Sequence, residues 1–215
     1  MYAIELEQVC KSFGPVRAVD ALGIHVPQGA VYGFLGPNGA GKTTTLRMIM
    51  DIIRPDSGAI RMFGEPASST VRRRVGYMPE ERGLYRKMTV AAVLRYFGSL
   101  RGMTAEQLRQ KVPAWLERID LAAQANRKVE ELSRGMHQKL QFAVTVIHDP
   151  DLVILDEPFS GLDPVNQDLL REIIDGMRDA GRTVLFSTHG MHEAEQLCDF
   201  IVLINQGKVV VDGTL

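Results

Sequence analysis

A glycine-rich run near the start of the chain has the residue types needed to bind phosphate groups. It reads Gly36-Pro37-Asn38-Gly39-Ala40-Gly41-Lys42-Thr43 and fits the pattern G-x-x-x-x-G-K-[ST]. Glycines let the backbone curl so that successive N–H groups point at phosphate oxygens, and a following helix adds the positive end of its dipole. Lys42 can neutralise the β- and γ-phosphates, and the Thr43 hydroxyl can bind Mg²⁺. The run therefore predicts a site for a nucleotide phosphate chain with Mg²⁺.

Two carboxylates end an apolar run further along the chain. Residues 152–155 are Leu-Val-Ile-Leu, and Asp156 and Glu157 follow directly. Burying an unpaired charge is expensive, but Mg²⁺ held beside Thr43 would compensate Asp156. Glu157 would then face the γ-phosphate and polarise the attacking water. Acidic residues also end strands as helix caps, so this interpretation depends on the phosphate-binding run.

The hydrophobic pattern predicts the elements that position these residues. Residues 30–35 form a short apolar run typical of a strand, and residues 46, 49, 50 and 53 are apolar at helical spacing. From residue 151 onward, apolar runs alternate with helical patterns, which predicts a largely parallel sheet with helices on both faces. Residues from about 89 to 147 read as mainly helical and indicate an inserted lobe. We expect one domain over residues 1–215.

Composition narrows the class of protein. The 215 residues are 45% hydrophobic and 24% charged, which is ordinary for a globular protein, and the formal net charge is -1. Without an overall positive field, binding to nucleic acid is not expected. No apolar run approaches the roughly 20 residues of a membrane-spanning helix, and the first residues lack the features of a secretory signal. We therefore expect a cytoplasmic protein whose two cysteines are free and reduced.

Further motifs resemble those of the ABC ATPases and stand in the order of that family. Residues 132–136, Leu-Ser-Arg-Gly-Met, resemble the signature sequence, residues 160–163 resemble the D-loop and residues 187–189 resemble the H-loop. Phe13 stands where the family carries an aromatic residue that stacks on adenine. The resemblance implies a P-loop NTPase (RecA-like) α/β fold, in which a mostly parallel sheet core carries an antiparallel β subdomain and an inserted helical subdomain.

The resemblance also implies a role for each matching residue. Glu157 and His189 would be catalytic, and the residues expected at Mg²⁺ are Thr43, Glu80 and Asp156. Ser133 reads as the N-cap of an apolar helix and, with Gly135, would contact the ATP held by a second copy. The full set expected to bind ATP is Phe13, Gly36, Asn38, Gly39, Ala40, Gly41, Lys42, Thr43, Thr44, Ser133, Gly135 and Asp163.

Three positions depart from the commonest pattern of the family. Arg134 stands where the signature usually has glycine, and Met136 where it has glutamine. Glu80 stands at the Q-loop position in place of glutamine and adds a negative charge near Mg²⁺ and the attacking water, so metal affinity and coupling are expected to differ. The departures look like the ABC-2 exporter branch, which includes sodium-efflux and drug-efflux ATPases.

The expected function is therefore that of an ATP-hydrolysing transporter subunit. It would form a homodimer on binding ATP and drive a separate transmembrane permease at the inner face of the cell membrane. The alternative is a non-transport ABC ATPase, in chromosome or repair work or in cytosolic assembly such as iron–sulfur cluster delivery. Chromosome and repair relatives carry long insertions in the lobe, whereas only 91 positions (133 minus 42) separate Lys42 from Ser133. A non-hydrolytic sensor would be expected to lose Glu157 or His189, and both are present.

Overall fold

The structure is a computed structural model that describes residues 1–66, 68–81 and 83–215. The described residues form ten strands and seven α-helices. The strands are β1 (Tyr2–Phe13), β2 (Val16–Pro27), β3 (Val31–Leu35), β4 (Ser57–Met62), β5 (Glu65–Pro66), β6 (Val75–Met78), β7 (Leu152–Asp156), β8 (Thr183–Thr188), β9 (Phe200–Asn205) and β10 (Lys208–Thr214). The helices are α1 (Lys42–Ile49), α2 (Ser69–Arg73), α3 (Val90–Leu100), α4 (Ala105–Arg118), α5 (Arg134–Val146), α6 (Pro164–Asp179) and α7 (Met191–Leu197).

The central sheet has six strands in the order β10-β9-β3-β8-β7-β6. All neighbouring pairs are parallel except β9 and β10, which are antiparallel. Every residue of β3, β7 and β8 is buried, as expected for strands covered on both faces. Because parallel strands end at the same edge, the segments after β3, β7 and β8 meet there. The predicted α/β core is confirmed.

The two faces of this sheet pack against different layers. Alternate residues of one strand point to opposite faces, so Val153 joins one hydrophobic cluster and Ile154 the other. The first cluster contains α3 to α6, and the second contains α1 and the β1–β2 strands. The second face is thus covered largely by another sheet, where the sequence pattern predicted helices.

That second sheet is antiparallel, with four strands in the order β2-β1-β4-β5. Its long pair begins near Ile4, which lies opposite Val26 on β2 and Met62 on β4. The antiparallel β subdomain implied by the family resemblance is confirmed. The second strand, β2, runs past the end of the phosphate-binding run, which places this sheet beside the site.

The mainly helical stretch predicted for residues 89–147 contains α3, α4 and α5. Thr89 caps α3, and Thr104 forms a capping box with Gln107 at the start of α4. α1 ends at Ile49 rather than at residue 53, because Asp51 adopts a left-handed backbone with φ of 56° that a helix cannot continue. None of the helices formed by the described residues has the length and apolarity required to span a bilayer.

His148, which follows α5, provides a pH-dependent contribution to stability. Burial, followed by the positive charge of Arg101, lowers its pKa to about 4. The ordinary pKa of histidine is about 6.5, so between these values the unfolded chain binds more protons than the folded chain. The free energy of unfolding should therefore fall as the pH drops through this window.

We predict that His148→Gln weakens this pH dependence. The decrease in unfolding free energy between pH 7 and pH 5, measured by urea denaturation, should be smaller than in the wild type by about 1 kcal/mol. His25→Gln, at an exposed histidine on β2, is the control and should behave like the wild type. An unchanged pH dependence in His148→Gln would contradict the prediction.

Candidate active site

The phosphate-binding loop connects β3 to α1, as the sequence pattern predicted. Two of its glycines are required by close backbone contacts. A Cβ at Gly36 would lie 2.4 Å from the Ile204 carbonyl oxygen, and one at Gly41 would lie 2.4 Å from the Ala18 carbonyl oxygen. Gly41 also has a φ of 104°, which disfavours any other residue. The loop is therefore held against β2 and β9 in the shape that begins α1 at Lys42.

Lys42 lies inside the loop with only 6% of its surface exposed. Its Nζ donates to the Gly36 carbonyl oxygen at 2.6 Å and lies 3.3 Å from that of Pro37. The same Nζ is 3.6 Å from Oε1 of Glu157. A nearly buried ammonium is thus held by the loop carbonyl groups and by the Glu157 carboxylate, which directly follows β7.

Asp156 ends β7 and is fully buried. Its Oδ1 accepts a hydrogen bond of 2.5 Å from the Ser187 hydroxyl on the neighbouring strand β8, where the two residues are paired in register. Its Oδ2 is also buried and has no hydrogen-bond partner among the described residues. A buried carboxylate oxygen without a donor is an atom that a cation would satisfy.

Glu157 leaves the strand in a left-handed conformation with φ of 50°. This conformation costs a non-glycine residue roughly 1–2 kcal/mol, so the surroundings must hold it. Its backbone N–H donates to Ser187 Oγ at 3.0 Å, and its carboxylate lies between Lys42 and His189. The strained turn therefore directs the carboxylate into the loop cavity.

His189 follows β8 and lies beside Glu157. Its Nδ1 is 3.1 Å from Oε1 and 3.0 Å from Oε2 of that carboxylate. The imidazole is 63% exposed, so its outer edge is open to a ligand. The sequence-predicted catalytic residues Glu157 and His189 are in direct contact.

A cavity of about 260 Å³ contains most of the predicted phosphate and metal residues. Gly36 and Ala40 are buried behind its wall. Phe13 does not line it; its ring is 48% exposed at the end of β1, with the Lys11 ammonium 5.6 Å from its centroid. The lining residues are Ala18, Pro37, Asn38, Gly39, Gly41, Lys42, Thr43, Thr44, Glu80 and Glu157.

The signature residues lie outside this cavity. Ser133 is exposed and caps α5, its Oγ accepting from the Met136 N–H at 3.3 Å. A Cβ at Gly135 would come no closer than 3.7 Å to Leu162, which is an ordinary contact. Packing within the chain therefore does not require glycine at position 135.

Asp163 acts within the chain as the N-cap of α6. Its Oδ1 accepts from the Asn166 N–H at 2.9 Å and its Oδ2 from the Asn166 side-chain amide at 2.6 Å. These hydrogen bonds lower the pKa of the Asp163 carboxyl. The expected role of Asp163 in ATP binding stays a prediction.

Two positioning residues were missed by the sequence analysis. Ser187 contacts both residues of the acidic pair, and Gln141 on α5 donates to the carbonyl oxygens of Pro79 at 2.8 Å and Glu81 at 3.2 Å. Gln141 thereby holds the segment that carries Glu80, whose side chain is exposed in the cavity. The position of Ser187 near the end of an apolar run is visible in the sequence. Its contacts with the acidic pair depend on the pairing of β7 with β8, which the sequence pattern does not predict.

The parallel sheet, the phosphate-binding loop and the acidic pair together define a P-loop ATPase. The sequence profile of the ABC transporter family matches residues 19–160. An uncharacterised ABC transporter ATP-binding protein of Bacillus subtilis, YhaQ, is 45% identical over 212 residues, which is 99% of this chain and 71% of that protein. Nod factor export ATP-binding protein I of Paraburkholderia xenovorans is 44% identical over 214 residues, covering 98% of this chain and 70% of that protein.

Solved structures agree with this assignment. The ATP-binding subunit of an ABC transporter superposes with a TM-score of 0.92 at 30% identity, covering 99% of this chain and 90% of the other. CbiO1 of Clostridium perfringens, part of the cbiONQ transporter complex, shares the fold with a TM-score of 0.87 at 22% identity over 99% of this chain and 88% of its own. The chain belongs to the ABC transporter family and is an ATP-binding, ATP-hydrolysing subunit. The names of its relatives favour transport over the non-transport alternative.

We predict that Ser187→Ala lowers activity through the acidic pair. The substitution removes the donor to Asp156 and the acceptor of the Glu157 N–H, so kcat should fall about 10–100-fold and half-maximal activity should need more Mg²⁺. ATPase assays across a magnesium titration measure both effects.

Thr183→Ala is the matched control. Thr183 is a buried hydroxyl at the other end of β8, where it accepts from the Gly29 N–H at 2.9 Å. It should lose stability without a comparable loss of kcat. Equal effects of the two substitutions on kcat would indicate that Ser187 acts only through stability.

Proposed function

We propose that this chain hydrolyses ATP with Mg²⁺ in a homodimer, with Glu157 and His189 as its catalytic residues, and powers export through a separate membrane permease. The observation that carries the proposal is the position of Glu157. Its carboxylate lies 3.6 Å from the Lys42 ammonium and 3.0 Å from His189, at the wall of the loop cavity. No other carboxylate among the described residues contacts both groups.

The residues that would hold Mg²⁺ are Thr43, Asp156 and Glu80. The donor set fits a hard cation, because hydroxyl and carboxylate oxygens are the ligands that Mg²⁺ prefers. The unsatisfied Oδ2 of Asp156 supports this assignment. When bound, Mg²⁺ would neutralise charge on the phosphates.

Glu157 would take a proton from the attacking water. His189 would hold the carboxylate in position relative to the γ-phosphate. The Lys42 ammonium already lies 3.6 Å from this carboxylate. The nucleotide would be bound by the loop N–H groups, Lys42 and Thr44, with adenine on the exposed ring of Phe13.

A second copy of the chain would complete the site. Ser133 is exposed at the start of α5, and Gly135 follows in its first turn, where free N–H groups favour an anion. Neither residue lines the loop cavity of its own chain. In a head-to-tail pair, each α5 would therefore face the γ-phosphate held by the other copy.

The permease would dock between the helical lobe and the core. An apolar cavity of about 160 Å³ lies there, lined in part by Pro79, Leu84 and Phe97. Next to it, Tyr85 and Tyr96 stack edge to face with centroids 5.3 Å apart, and both are exposed. Aromatic surface of this kind is typical of protein interfaces. The chain would then lie at the cytoplasmic face of the membrane, and the Nod factor export relatives support an exporter.

We predict that Glu157→Gln abolishes turnover and traps an ATP-bound dimer. The amide keeps the size of the side chain but cannot accept the proton, so phosphate release should fall at least about 100-fold. Size-exclusion chromatography with light scattering in Mg-ATP should show a dimer that persists. Glu172→Gln, at an exposed position on α6, is the control. Hydrolysis by Glu157→Gln at the wild-type rate would show that the proposed base is wrong.

A substitution at Gly135 tests the dimer separately from folding. Gly135→Ala has room within the chain and should raise helix stability slightly, yet its methyl group would stand where the second copy's phosphate must approach. ATP-dependent dimerisation should weaken about tenfold or more, with no decrease in thermal stability.

Gly176→Ala on α6 is the matched control. It makes the same change near the C-terminal end of α6, at the opposite end of that helix from Asp163. If Gly135→Ala dimerised at the same ATP and protein concentrations as the wild type, the proposed contact between Gly135 and the second copy's phosphate would be ruled out.

A further inference from the structure

A second cleft opens beside the loop cavity, with a volume of about 320 Å³. Its lining combines two carboxylates, one guanidinium and two neutral polar side chains: Glu80, Glu157, Arg134, Gln138 and Ser160. Glu80 and Glu157 also line the loop cavity, so the two spaces are adjacent and share these residues. The cleft thus brings together the Q-loop position and the start of α5.

The charged side chains that line this cleft differ in whether they have ion-pair or hydrogen-bond partners. Glu157 has Lys42 and His189 as neighbours. Within the part of the chain that the structure describes, Glu80 makes no ion pair or hydrogen bond, and neither does the Arg134 guanidinium. One unmatched anion and one unmatched cation therefore face the same space.

The positive charge of Arg134 does not stabilise α5, the helix that this residue begins. Arg134 is the first residue of α5, where the helix dipole disfavours a cation. Its side chain extends over Gly161, so that a Cβ built there would lie 2.5 Å from Arg134 Nε. The guanidinium therefore lies along the backbone after Ser160, at the wall of the cleft that contains Glu80.

We propose that Arg134 is a positioning residue that forms an ion pair with Glu80 when ATP binds. The proposal rests on the proposed function of the loop cavity. Bound triphosphate carries negative charge next to Glu80 and repels its carboxylate toward the guanidinium. The pair cancels the charge that Glu80 would otherwise add to the phosphate site. A carboxylate has two oxygens, so one could accept from Arg134 while the other would remain available to Mg²⁺.

A double-mutant cycle tests this pairing. Arg134→Ala leaves Glu80 unmatched, so kcat/KM for ATP, and ATP affinity measured in EDTA without metal, should each fall about tenfold. In the Glu80→Gln background the same substitution should change both by less than about twofold, because no charge remains to be matched. Arg134→Lys should restore most of the loss, since it keeps the positive charge.

Two controls separate this pairing from a structural effect. Arg134→Ala should not lower the thermal unfolding temperature, because the dipole of α5 disfavours the arginine. Arg95→Ala, at an exposed arginine on α3, should leave both measurements unchanged in either background.

Equal losses from Arg134→Ala in both backgrounds would overturn the proposal, since Arg134 would then act on a group other than Glu80. No loss in the wild-type background would overturn it as well. Both outcomes differ from failure of the proposed function. That failure would appear as ATP hydrolysis by Glu157→Gln at the wild-type rate.

Discussion

The contact between Lys42 and Glu157 is the interaction on which the rest of the site depends. Both side chains are largely buried, and either charge would be costly to bury without the other. Their approach to 3.6 Å requires β3 and β7 to end at the same edge of the sheet, with β8 between them. The sheet order therefore decides which charged groups share a cavity, and the cavity decides the chemistry.

The central segments of the site could be predicted from the sequence. The phosphate-binding run and the acidic pair are local patterns, and each was correctly placed at the end of a buried strand. Contacts between segments could not be predicted in the same way. The bonds from Ser187 to the acidic pair depend on β8 lying beside β7, and the bonds from Gln141 depend on how α5 crosses the Q-loop segment. A one-dimensional pattern contains neither fact.

The same limit applies to the layer that covers the sheet. Alternating apolar runs predicted helices on both faces, but one face is covered mainly by β1, β2 and β4 together with α1. This second sheet has a consequence for the site, because β2 presents the Ala18 carbonyl oxygen against Gly41. The antiparallel sheet thus supports the phosphate-binding loop directly, and a long hairpin carries Phe13 to its exposed position.

The residues expected to bind ATP are divided between two surfaces of the chain, so neither surface alone contains the whole expected site. Lys42, Thr43 and Glu157 share one cavity, whereas Ser133 and Gly135 do not line it. In the proposed symmetric pair, related by a two-fold axis, such a chain would form two equivalent sites, each built from both copies. Charge would then have to balance across the interface of that pair as well as within the chain. A carboxylate at Glu80 adds negative charge beside the proposed triphosphate site, and Arg134 is a cation that the start of α5 brings into the same cleft. Two of the three departures from the common family pattern, Glu80 and Arg134, are therefore linked in our proposal as one change in charge distribution.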